Sequence, residues 1–203
     1  MKTLLVFCLV VLINGYGTPA YSLPLFSAVP IGGERVSRLG LDVLPEGFQL
    51  LPGVLLGRVE GRVEQLGEVL EEGGWQGEEV FVYFHPRTLE LVLGMVGGVE
   101  DVGRFDDYLS EFENPAQRGD FLRKLQGKMG GERLSWEGYE YRRDLGGVGD
   151  RSTGMNVSLN LVNQRFTGEV LVFRRDRMAA LLVVLNREDH WPEVRVKAIA
   201  SQL

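Results

Sequence analysis

The 203-residue chain carries a formal charge of −6, with acidic and basic residues interspersed. Binding a nucleic-acid backbone needs a concentrated basic face, so nucleic acid is not expected as a partner. The one cysteine, Cys8, lies in an apolar N-terminal run, so a chain that loses this run can form neither a disulfide nor a thiolate metal site.

That run follows Lys2 and extends uncharged from Leu4 to Ile13, before the small-residue stretch Thr18-Pro19-Ala20-Tyr21-Ser22. A positive start, a short apolar core and a small-residue cleavage region are the order of a secretory signal, which predicts a signal peptide over 1–22. Roughly ten apolar residues fall short of the about 20 that a membrane-spanning helix needs, so no transmembrane segment is expected after cleavage. Cys8 comes too early, behind bulky Phe7, to read as a lipid anchor. A thiol-free domain must be held by its core, which the remaining chain is long enough to supply as one domain. Its compartment would be the periplasm, the thylakoid lumen or the extracellular space.

Residues 23–43, punctuated by Pro30 and Gly32-Gly33, read as a poorly ordered leader, and a single domain is expected over 44–203. Val59, Val63, Leu66 and Leu70 have helical spacing up to the stop at Gly73-Gly74. Glu79–Phe84 and Thr88–Val96 form a predicted hairpin. Val102, Phe105, Leu109 and Phe112 define a helix that ends at Asn114. Asn114, Pro115 and Gln117 then cap a further helix, with Phe121, Leu122, Leu125 and Met129 on its apolar face. Leu134, Trp136, Tyr139 and Tyr141 make a strand or tight hairpin whose phase changes at Gly138, as a bulge would produce. After a glycine-rich loop, Val157, Leu159 and Leu161 alternate with polar residues as a strand. Glu169–Phe173 and Met178–Leu185 form a second hairpin, and a last helix from Pro192 carries Val196, Ile199 and Leu203.

The two hairpins echo one another at an offset of 90 residues: Glu79-Val80-Phe81-Val82-Tyr83 against Glu169-Val170-Leu171-Val172-Phe173, with Arg87 on Arg177 and Leu91 on Leu181. Two readings stand, a pair of strand-strand-helix repeats or two amphipathic hairpins alike by chance. Either gives an α+β domain with a largely antiparallel sheet covered by helices.

No constellation for catalysis emerges, and no cofactor or metal site is expected. His85 and His190 sit at turns without metal-ligand spacing. There is no nucleophile elbow, and the paired carboxylates, such as Asp106-Asp107, read as solvated surface. Two features carry binding chemistry. The first is two arginine clusters, Arg142 with Arg143 and Arg174, Arg175 with Arg177. Arginine forks suit carboxylate or phosphate, and on an acidic chain these are candidate contacts for an acidic protein partner or a lipid headgroup. Local pairing with Asp144 and Asp176 is the bland reading. Trp75, in a glycine loop, is a second candidate partner anchor. The other feature is the loop Gly147, Gly149, Asp150 and Ser152, a candidate ligand loop with exposed amides and hydroxyls, or else a connection in which Asp150 makes an Asx-turn.

The C-terminal stretch EVLVFRRDRMAALLVVLNREDHWPEVRVKAIASQL, preceded by Gly149-Asp150-x-Ser152, resembles the closing strands and helix of small extracytoplasmic α+β proteins. It is also similar to the PsbP-like group of photosystem-associated lumenal proteins. The resemblance covers the last third of the chain and carries over no site residues. It implies an antiparallel sheet between helices and a non-enzymatic role on a membrane complex or as an envelope factor. The function expected is therefore that of an accessory or binding protein contacting a membrane-associated protein complex. The rival is a small-molecule binder or hydrolase built on the 147–154 loop.

Overall fold

The computed structural model describes residues 43–50, 68–120, 123, 134–161, 164–188 and 195–203. The predicted signal, nearly all of the leader, most of the helix from Val59, the apolar face beyond residue 120, and the stretch with His190 and Pro192 lie outside them.

Seven strands form one antiparallel sheet in the order β1-β2-β3-β7-β6-β5-β4. They are β1 (Gln49–Leu50), β2 (Trp75–His85), β3 (Glu90–Val99), β4 (Leu134–Tyr141), β5 (Arg151–Leu161), β6 (Gln164–Arg175) and β7 (Met178–Arg187). The largely antiparallel sheet expected from the sequence is thus present, and β4 is a single strand whose register shifts between Trp136 and Gly138. The central strands β2, β3, β6 and β7 are apolar on consecutive residues because both faces of the sheet are buried.

One face packs Val82, Leu93, Val157, Val172 and Val183 against Phe105, Leu109 and Phe112 of α1 (Val102–Glu113). The three aromatic and aliphatic residues fall at steps of four and three, so they share one stripe of the helix. Asp101 begins it by accepting the Arg104 N–H at 3.0 Å, the usual service of an N-cap carboxylate. The opposite face packs Phe81, Tyr83, Leu171, Leu182 and Val184 against Val196, Ile199 and Ala200 of α2 (Val196–Ala200). The expectation of helices covering the sheet needs correction here. The described helices are few and α2 is a single short turn, so the sheet dominates and helices cover only part of it. Among the described residues no helix is long and apolar enough to cross a membrane.

The 90-residue echo has a geometric counterpart. Leu93 and Val183, equivalent at that offset, are also register partners between β3 and β7. A two-fold axis through this pair and normal to the sheet therefore relates β3 to β7, while within the hairpins the register differs by two residues, Val82 opposing Leu93 but Val172 opposing Leu181. Equivalent residues share faces, as Val82 does with Val172 and Phe81 with Leu171. Such an axis preserves faces, yet α1 and α2 lie on opposite ones. The correspondence covers strand order and faces; it stops at the hairpin registers, the turns and the helices.

Tyr108 fastens α1 to the helical turn over 68–71 by donating its hydroxyl to the Val69 carbonyl at 2.6 Å. Burial, then the nearby carboxylates of Glu72 and Glu111, hold its phenol well above the ordinary value of 10. The folded state therefore keeps the proton where the unfolded chain releases it, and stability falls as pH rises through about 10. Tyr108→Phe should cost about 1 kcal/mol at neutral pH. It should also show a shallower loss between pH 9 and 11, measured by urea unfolding of both proteins; parallel curves would refute the assignment.

Candidate functional site

The arginines of the β6–β7 tip have opposite fates, set by strand alternation. Arg174 has the same parity as Val170 and Val172 and turns inward beneath α1, where it is 7% exposed. Its Nε and Nη2 donate to the two carboxylate oxygens of Asp106 at 2.9 and 2.8 Å. Its Nη1 donates to Asp150 at 3.1 Å and to the Asp176 carbonyl at 2.7 Å. These carboxylates, Asp106 foremost, raise its already high pKa, so the guanidinium stays charged. As a partner contact Arg174 is corrected: it is buried and four of its five donors are spent within the chain. Arg175 and Arg177 are exposed, and neither side chain has a hydrogen-bond or ion-pair partner among the described residues.

The tip itself is held firmly. Asp176 adopts a φ of +53°, a backbone region that usually calls for glycine at the first position of a two-residue hairpin loop. Its N–H donates to Asp150 at 2.7 Å, and the Arg177 carbonyl accepts the Val99 N–H at 2.8 Å. Asp150, expected as a ligand-loop residue or an Asx-turn former, is thus the lock between its loop and the tip.

The first arginine cluster also divides. Arg142 donates to both carboxylate oxygens of Asp144 and to Asn156 Oδ1 at 3.0 Å, and this hydrogen bonding, with the Arg142 charge beside it, draws the Asp144 carboxyl down to about 2. Arg142 also lies 3.8 Å from Glu169, whose other contacts are Arg195 at 3.0 Å and the Val196 N–H at 3.3 Å. Arg142 therefore belongs to a polar network that ties α2 to the sheet. Arg143, at the start of the 3-10 turn Arg143–Leu145, is exposed and has no side-chain partner among the described residues.

That turn lies close on β5 because Gly154 leaves room for it. A Cβ there would stand 2.6 Å from Leu145 Cδ1, and Leu145 is buried in the α2-side core. The chain then runs through Gly146–Asp150, bent by positive φ at Gly147 (+79°) and Gly149 (+63°). At Gly149 a Cβ would meet the Arg174 carbonyl at 2.3 Å, so glycine is needed both for conformation and for the approach to β6. Ser152 accepts the Val148 N–H at 3.1 Å and is 7% exposed. Its hydroxyl holds the loop and is not presented as a nucleophile. The result is an open polar groove of about 530 Å3, lined by Glu113, Tyr141, Arg143, Gly146, Gly147, Gly149, Asp150, Arg151 and Ser152.

The structure thus joins Arg143 to the predicted ligand loop and separates it from Arg142. Four lining residues are not among the sequence candidates: Glu113, Tyr141, Gly146 and Arg151. Arg151 reaches Glu113 at 2.9 Å and Ser110 at 2.8 Å. The readable signal was the stripe Asp106, Ser110 and Glu113 on α1, spaced by four and three beside its apolar face. Trp75 is not a surface anchor, since it is 1% exposed within the α1-side core. His85 is equally buried. Its Nδ1 accepts the Thr88 N–H at 3.2 Å, and its ring meets Phe48 edge-on. Among the described residues no cluster of His, Asp and Glu is placed to hold a metal ion.

Arg174→Met should destabilise the domain by about 2 kcal/mol in denaturant unfolding. That is below the roughly 3–5 kcal/mol for stranding a fully buried charge, since the side chains of Asp106 and Asp150 are 32% and 51% exposed and keep their water. Arg174→Lys should recover less than half of the loss, because an ammonium cannot make the fork. Full recovery by lysine would show that charge alone suffices.

No protein-family model matches the sequence, and no curated protein is significantly similar to it.

Proposed function

We propose that the chain is an extracytoplasmic accessory protein that binds an acidic surface of a membrane-associated protein complex through the β6–β7 tip. The reading draws its address from the signal-like order of residues 1–22. Its chemistry comes from one observation: within a single cluster Arg174 is fully engaged, while Arg175 and Arg177 stand exposed and without intrachain partners on an acidic molecule. Arginine forks recognise carboxylates in pairs of hydrogen bonds. The turn that carries these two is held at Asp150 and Val99, so little loop ordering is left to oppose binding.

Charge at such a tip acts on encounter and on salt dependence. Affinity capture from native membranes should retain a defined complex at low salt and release it as salt rises. Arg175→Glu with Arg177→Glu should abolish capture at an unchanged melting temperature. Arg87→Glu, an equally exposed arginine in the other hairpin's turn at the far end of the sheet, should leave capture intact. Equal capture by the tip variant would overturn the proposal. Replacing Arg174 would not test it, because loss of that residue unmakes the tip itself.

A further inference from the structure

We propose that the groove between the 3-10 turn and β5 binds a small ligand through a phosphate group. The inference is independent of the tip.

The groove's carboxylates are already engaged by arginines or backbone donors. Glu113 pairs with Arg151 at 2.9 Å, and Asp150 takes Arg174 at 3.1 Å and the Asp176 N–H at 2.7 Å. The cation among the lining residues with no partner among the described residues is the guanidinium of Arg143. The backbone adds donors of the same kind. The Val148 N–H is used by Ser152 and the Asp150 N–H by the Arg174 carbonyl. The N–H groups of Gly147 and Gly149 on either side have no acceptor among the described residues. Both glycines carry positive φ, and a Cβ on Gly147 would meet nothing within 4 Å, so the loop presents bare backbone there. These two amides flank the engaged Val148 amide and offer the kind of backbone donors from which anion-binding concavities are built. A fork-shaped cation beside it suits an oxyanion with several oxygens, for which phosphate offers more acceptors and charge than carboxylate. At about 530 Å3 the groove exceeds what phosphate alone fills, which leaves room for an organic remainder.

The test is amide NMR on the full chain with inorganic phosphate, glycerol phosphate and acetate at matched ionic strength. Saturable shifts at Gly147 and Gly149 with both phosphates, at least tenfold weaker with acetate and in Arg143→Gln, support the site. Arg175→Glu with Arg177→Glu should leave the titration unchanged, so failure of the tip and failure of the groove read separately. Vesicles containing phosphatidic acid form a second arm. Vesicle binding lost in Arg143→Gln, without a response to the soluble phosphates, assigns the phosphate to a lipid headgroup. Overturning results are absence of saturation in both arms, equal titration by acetate, or unaltered binding in Arg143→Gln with its melting temperature preserved.

Discussion

The guanidinium of Arg174 sits where a strand, a helix, a loop and a hairpin turn meet, and those four parts are held together through it. Burying a cation is costly unless its donors are matched. Here the match is two hydrogen bonds to Asp106, one to Asp150 and one to the Asp176 carbonyl. A lysine has three donors on one atom and cannot span such a set, whereas the planar fork reaches α1 with one edge and the loop with another. Arg151, the register partner of Arg174 on β5, repeats the device one step along the same helix by meeting Ser110 and Glu113. Arg118 then donates to the carbonyls of Phe112 and Glu113 at the helix end, its guanidinium over the Tyr141 ring. The helix that covers part of one face of the sheet is thus seated by apolar residues and registered by arginines.

The two hairpins end differently. At the 90-residue offset Arg174 corresponds to Phe84 and Arg175 to His85, and both counterparts are buried. One hairpin ends by sealing the core, the other by turning a cation under α1 and presenting two more to solvent. A buried cation draws carboxylates toward it where an aromatic draws apolar contacts. Asp106 and Asp150 are the carboxylates that meet it, and Asp150 ties the glycine loop to the tip.

Much of this was legible locally. Spacing of three and four marked α1 to its end at Asn114, where the Ala116 N–H does bond to the Asn114 side chain at 3.1 Å. The phase change at Gly138 marked a true register shift. What escaped the sequence depends on long-range partners. Runs such as EVLVF read as apolar throughout, and nothing in them says that two helices will take opposite faces. Arg174 was grouped with its neighbours as one basic cluster, although its parity with Val170 and Val172 already pointed it inward. Asp106 was read as surface because its partner lies 68 residues away. The groove is illegible for the same reason: Tyr141, Glu113 and the 146–152 loop converge only after β4 pairs with β5 and α1 docks above them.

Asp150 belongs to both regions that offer binding chemistry. One side of this residue lines the groove, and its carboxylate accepts the N–H of Asp176 between the two solvated arginines. Two sites that share a fixed residue are coupled only if that residue has two arrangements that ligands can tell apart. The contacts made by Asp150 argue for one arrangement. It is tied to Arg174, itself tied to Asp106, and its N–H is bonded to the Arg174 carbonyl at 2.8 Å. Its sharing therefore gives rigidity to both sites rather than communication between them, with the groove and the tip each preformed by the same buried arginine.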